Sequence, residues 1–233
     1  MRLLRVKTVP LLMTSPLRQL AYRYRWIYDT VTGISALSVG GVDRLRSLGL
    51  AALDPVLPRG AKVLDFCCGS GEAAAPWIEA GFQVTGLDVS PKVLELAATR
   101  YPLLTCIEGL AEDPPCTPAS FEAIQISLAL HEFPRAERQQ VLLSCLELLK
   151  PGGWLVVVDI HPAGPLLQLP QQLFCALFET ETAIALLEDD IPKQLQEIGF
   201  TTVEQSVLAG SALQRITARR PSSGMLEATG EMP

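Results

Sequence analysis

At 233 residues, 48% hydrophobic and 19% charged, the chain is long enough to bury a full core and too apolar to be disordered. A net charge of −6 argues against nucleic acid as the main partner, and no apolar run of ~18 residues free of charge or proline marks a membrane-spanning helix. Six cysteines without Cys-x-x-Cys or Cys/His ligand spacing read as small apolar residues of a reducing, cytoplasmic compartment, so no metal is expected.

The charge is uneven: +7 over residues 1–62 and −13 over 63–233. The leading segment therefore reads either as a solvated basic face or as a contact for an anionic surface, such as the periphery of a membrane. Residues 1–15 are expected to be a disordered tail, and 16–58 a helical lid. Leu17, Leu20, Tyr24, Ile27, Tyr28 and Val31 recur at helical spacing after Pro16, and a second helix is expected over Ile34–Leu48 with a break at Gly40-Gly41. Asp54-Pro55 and Pro58-Arg59-Gly60 then break the chain ahead of the core.

From there strands and helices alternate with short links. Strands are expected at Lys62–Phe66, Phe82–Asp88, Leu103–Ile107, Phe121–Ser127 and Trp154–Ile160, with helices at Glu72–Ala80, after the Ser90-Pro91 cap to Arg100, and from Pro134 to Lys150. That rhythm predicts a doubly wound, mostly parallel sheet in an α/β domain over 59–220. An apolar, proline-interrupted insert at 162–182 reads as a second lid element, followed by one helix over Glu181–Ile198, kinked before Pro192. Phe200–Leu208 and Ser211–Arg219 read as a closing antiparallel hairpin on the sheet edge, for seven strands in all, and 221–233 as a disordered tail.

The first strand runs into Cys67-Cys68-Gly69-Ser70-Gly71, where Gly69 and Gly71 let backbone approach a ligand closely. The following helix aims its unpaired N–H groups at the same crevice. Asp88 ends the next strand 17 residues past Gly71, about where such a fold places a carboxylate on ribose hydroxyls. These features read as a nucleoside-binding half-fold.

Val63-Leu64-Asp65-Phe66-Cys67-Cys68-Gly69-Ser70-Gly71 resembles the first motif of the class I S-adenosylmethionine-dependent methyltransferases, and Gly86-Leu87-Asp88-Val89-Ser90 resembles their second. Ala111-Glu112 and Leu149-Lys150-Pro151-Gly152-Gly153-Trp154-Leu155 resemble the later ones, in order, across residues 60–220. The resemblance implies S-adenosyl-L-methionine as cofactor and transfer of its methyl group to a small-molecule acceptor. It implies cofactor roles for Asp65 and Cys67 in the loop, Gly69, Gly71, Asp88 and Val89, for Ala111 and Glu112 beside the adenine, for Ser127 after the fourth strand, and for Tyr28 over the methionine end. Leu110 stands where many members have an aspartate, and Cys67 where they have the first loop glycine. Tyr28-Asp29 and Leu37–Arg46 are similar to the start of the quinone C-methyltransferases, which implies an apolar or aromatic, quinone-like acceptor.

The transferred methyl is already activated, so the protein mainly aligns donor and acceptor and takes up the acceptor's proton. The chain has two histidines, His131 and His161, each just past the carboxyl end of a predicted strand, and both are candidate bases. Two other readings fit part of the pattern. Gly69–Ala74 matches the Gly-x-Gly-x-x-Ala of an NAD(P)-dependent oxidoreductase, and the altered loop would suit a non-catalytic cofactor-binding relative.

Overall fold

The structure is a computed structural model that describes residues 39–165, 168–169, 171 and 181–222. The expected helix around Tyr28, most of the 162–182 insert and nearly all of both tails lie outside the described residues.

Two short helices, α1 (Val42–Arg46) and α2 (Leu48–Leu53), come first, and Gly41 before them sits at φ +108°. The expected second helix is thus split, its described part starting after the glycine pair. Strand β1 (Lys62–Phe66) follows, then α3 (Ala75–Glu79), β2 (Gln83–Asp88), α4 (Pro91–Arg100), β3 (Thr105–Glu108) and β4 (Phe121–Ser127). A 3₁₀ turn at Leu130–Glu132 leads to α5 (Arg135–Leu148), β5 (Leu149–Ile160), α6 (Glu181–Leu187), α7 (Ile191–Ile198), β6 (Thr201–Leu208) and β7 (Leu213–Arg219).

The expected helix from Glu72 begins only at Ala75, because Gly71–Ala74 is spent on turns: Gly71 N–H donates to Cys68 O and Ala74 N–H to Gly71 O. The single helix expected over Glu181–Ile198 is two. Asp190 caps the second by accepting the Lys193 N–H, with Pro192 in its first turn, where a missing N–H costs nothing.

The seven strands form one sheet in the order β3-β2-β1-β4-β5-β7-β6. Pairs among β1 to β5 are parallel, and β7 runs antiparallel to both β5 and β6. The hairpin therefore closes the sheet with its second strand inside and β6 at the edge. Helices cover both faces. On one, Leu53 and Trp77 pack against Val63, Ala123 and Val156, so α2 lies on the sheet itself. On the other, α5, α6 and α7 bury Leu142, Leu186 and Leu195 against Leu64, Ile124, Leu155 and Ile216. The order turns at β1/β4, the switch point where open α/β sheets hold ligands beyond the strands' carboxyl ends. Among the described residues no helix is long and apolar enough to cross a membrane, and no group of His, Cys, Asp or Glu has metal-holding geometry.

Candidate active site

The loop after β1 is fastened to β2. Cys68 N–H donates to Leu87 O at 2.9 Å, Gly69 N–H to Asp88 Oδ2 at 2.9 Å, and Ser90 N–H to Asp88 Oδ1 at 3.0 Å. Asp88 thus ties together the loop and the turn into α4, and with one N–H on each oxygen its carboxylate still has accepting capacity for a ligand's hydroxyls. Gly71, at φ +83°, has no room for a side chain: a Cβ there would lie 2.8 Å from the Tyr101 ring. Gly69, at φ +54°, instead has open space where its Cβ would be. Cys67 adopts φ +61°, a left-handed conformation that strains a non-glycine residue by roughly 1–2 kcal/mol. Burial first, and then the charges of Asp88 and Asp65, push its thiol up to about 12, so it stays protonated and is a poor nucleophile.

A cavity of about 380 Å³ opens above these elements, within the usual range of roughly 300–1,000 Å³ for a small-ligand site. Of the residues expected from sequence, Cys67, Asp88, Val89, Ala111 and Glu112 line it. Leu110, 46% exposed, forms part of its wall, and Leu128, Ala129, Glu132 and Phe133 from the β4 end close the far side. Ser127 ends β4 beside the cavity without lining it, and Tyr28 lies outside the described residues.

Asp65 sits beneath the loop, 1% exposed. Gln125 Nε2 donates to its Oδ1 at 3.0 Å and to Ala73 O at 3.1 Å, while Gln125 Oε1 accepts from Trp77 Nε1 at 2.8 Å. Asp65 Oδ2 is buried without a hydrogen bond among the described residues. Burial is the main cause that raises the Asp65 carboxyl to about 7, with Gln125 opposing and Asp88 adding to it. The folded chain therefore holds a proton that the unfolded chain has already lost between pH 4 and 7. The stability contributed below pH 4 is lost as pH rises through 7, by up to roughly 4 kcal/mol for the isolated chain. Asp65→Asn is expected to flatten this dependence: melts at pH 5 and 8 should differ less than in the wild type, and an unchanged difference would show that Asp65 ionises freely.

The two histidines part company. His131, in the 3₁₀ turn after β4, is 3% exposed, and its Nδ1 donates to Asp159 Oδ1 at 2.6 Å, since a carboxylate only accepts. Asp159, fully buried on β5, also accepts the N–H groups of Leu130, His131 and Ile160. It pins the turn to the sheet and fixes the ring's tautomer. Behind it Arg138, fully buried on α5, pairs at 3.0 Å with Asp189 in the α6–α7 link. His161 lines a separate cavity of about 280 Å³, with Glu188, Asp189, Gln205 and Gln214. Its Nδ1 donates to Ser211 O at 2.7 Å, and its N–H to Ala212 O, so the start of the β7 hairpin holds it away from the glycine loop. Sequence reasoning missed Asp159, Gln125, Glu132 and Arg138. The signal for the first two was a polar residue inside an otherwise apolar strand; for the helix residue Arg138 there was none.

A model of the methyltransferase domain matches residues 63–153. A Synechocystis protein described as an uncharacterised methyltransferase is 40% identical over 208 residues, spanning 89% of this chain and 97% of that one. The demethylmenaquinone methyltransferase of Paenarthrobacter aurescens is 35% identical over 140 residues, 60% of this chain but only 53% of that protein. Among solved structures, phosphoethanolamine N-methyltransferase 2 of Haemonchus contortus, in complex with S-adenosyl-L-methionine, shares the fold at a TM-score of 0.65 and 15% identity, covering 90% of this chain and 61% of that one. The loop, the switch-point cavity, the sheet order with its reversed β7 and the near full-length relative all agree: the chain belongs to the class I S-adenosylmethionine-dependent methyltransferases.

Proposed function

We propose that the chain transfers the methyl group of S-adenosyl-L-methionine to a small, apolar, aromatic acceptor of the hydroquinone type. The observation that carries the cofactor reading is Asp88, which lines the cavity with a carboxylate already oriented by two backbone N–H groups. The residues fit a sulfonium nucleoside. Asp88 would hold the ribose hydroxyls, Leu110 and Ala111 the adenine, and the open side of Gly69 the approach of the amino-acid end, with buried Asp65 bracing the loop from beneath through Gln125. The bound cofactor supplies an electrophilic methyl carbon on a positively charged sulfur.

Everything else falls to the chain's own groups. The cavity walls align the acceptor, and alignment alone can contribute about 7–11 kcal/mol. Behind the β4 end of the cavity, the His131–Asp159 pair supplies an imidazole oriented by a buried carboxylate and able to hold the acceptor's proton. His161, in its separate cavity, is assigned no part in transfer.

The likeness to a demethylmenaquinone methyltransferase supports a quinol acceptor, as do the apolar side chains Leu128 and Phe133 at the β4 end of the cavity. The acidic body of the chain favours a small molecule over nucleic acid, and the basic leading segment suits contact with the membrane surface where such quinols reside. The test is incubation with methyl-labelled cofactor and, in parallel, 1,4-naphthohydroquinone, a simple phenol and ethanolamine phosphate, read by mass spectrometry. Label on the naphthohydroquinone is expected; label only on the amine would overturn the acceptor class.

A further inference from the structure

The cavity and the histidine dyad do not meet directly. His131 is nearly fully buried and forms no part of the cavity wall, whereas Glu132, the next residue of the same turn, does. The Glu132 side chain is 43% exposed, and its Oε1 lies 3.5 Å from His131 Nε2. On the other side of the ring, Nδ1 is 2.6 Å from Asp159 Oδ1. Three groups therefore stand in file from the sheet to the cavity: a buried carboxylate, an imidazole, and a carboxylate that a bound molecule can touch.

The inner end of this file is fixed. Both Asp159 oxygens are taken by N–H donors, so Asp159 is the anchored anion and Nδ1 keeps its hydrogen. Nε2 faces the outer carboxylate, the direction in which a proton can travel. We propose that Glu132 is the residue that takes the acceptor's proton and passes it to His131 Nε2, with Asp159 as the positioning residue. This rests on the methyl-transfer reading above. The acceptor's X–H bond breaks and its electron pair forms the new bond to the methyl carbon, while the pair of the broken C–S bond stays on sulfur. The proton goes to a Glu132 oxygen and then to Nε2, leaving an imidazolium between two carboxylates, and it returns to solvent through exposed Glu132 once product has left.

Glu132→Gln, Glu132→Asp and Glu132→Ala would be assayed on 1,4-naphthohydroquinone with S-adenosylmethionine, alongside calorimetry of the cofactor alone. Glu132→Gln is expected to lower kcat by roughly 100-fold with cofactor affinity unchanged, and Glu132→Asp to recover part of the loss. Added formate is expected to raise the rate of Glu132→Ala by about tenfold, a rescue that a packing role would not give. Independently of turnover, the ¹⁵N resonance of His131 Nε2, assigned with His161→Gln because the chain has only two histidines, should move in Glu132→Gln and stay in place in Glu137→Gln, a residue of α5 on the same cavity wall. A kcat for Glu132→Gln within about threefold of wild type, or an unmoved Nε2 resonance, would overturn the relay. A wild-type chain that binds the cofactor yet methylates no hydroquinone would instead overturn the acceptor class, and the resonance would still decide whether Glu132 faces the ring.

Discussion

His131→Gln is expected to lower the rate of methyl transfer by roughly 10²–10⁴-fold while leaving cofactor affinity within about twofold of wild type. The ring lies outside the cavity that holds Asp88, so its loss removes no cofactor contact. Asp159→Asn should be as slow, and less stable. Its amide can keep one acceptor toward the ring, but its NH₂ then meets the N–H groups of Leu130 and His131, donor against donor. Leaving such groups unpaired costs about 1–3 kcal/mol, which a melting curve resolves. The pair of variants separates chemistry from scaffolding, since Gln at 131 keeps the backbone bonds of the turn and Asn at 159 does not. Full activity in both would mean that alignment alone drives transfer.

Asp88→Ala is expected to weaken S-adenosylmethionine binding by at least about tenfold, or roughly 1.4 kcal/mol, from the lost ribose contact alone. The structure adds to that figure. Gly69 and Ser90 lose their shared acceptor, so the loop that would hold the amino-acid end loosens as the sugar is released. Kd from calorimetry should therefore rise more than for a variant of the adenine end, such as Glu112→Ala. Unchanged affinity would remove Asp88 from the site.

How legible this was in the sequence differs by element. β1 and β4 have the bounds expected of them, because largely apolar runs between breakers leave little freedom. β5 begins five residues early, at Leu149: Leu149 pairs with Phe121 ahead of a register shift, and a pairing partner cannot be read from local composition. The α6/α7 break, expected only as a kink before Pro192, turned on Asp190, whose side chain caps a new helix there. At the site, the glycine loop and Asp88 were visible because their spacing across one strand–turn–helix–strand unit is fixed by local geometry. The dyad was not, because His131 and Asp159 are 28 residues apart and meet only through the parallel β4–β5 pairing. His161 had the right edge of the sheet and the wrong neighbour: the hairpin inserted beside β5 supplies Ser211 and Ala212, which take its ring and its backbone.

The claim that a nucleoside lies along the switch-point cavity is tested most directly by the crystal structure of the chain with S-adenosylhomocysteine. The predicted result is both ribose hydroxyls on the Asp88 carboxylate, with the adenine against Leu110 and Ala111. Ligand density lodged instead beside His161, with the Asp88 carboxylate bonded only to Gly69 and Ser90, would contradict it.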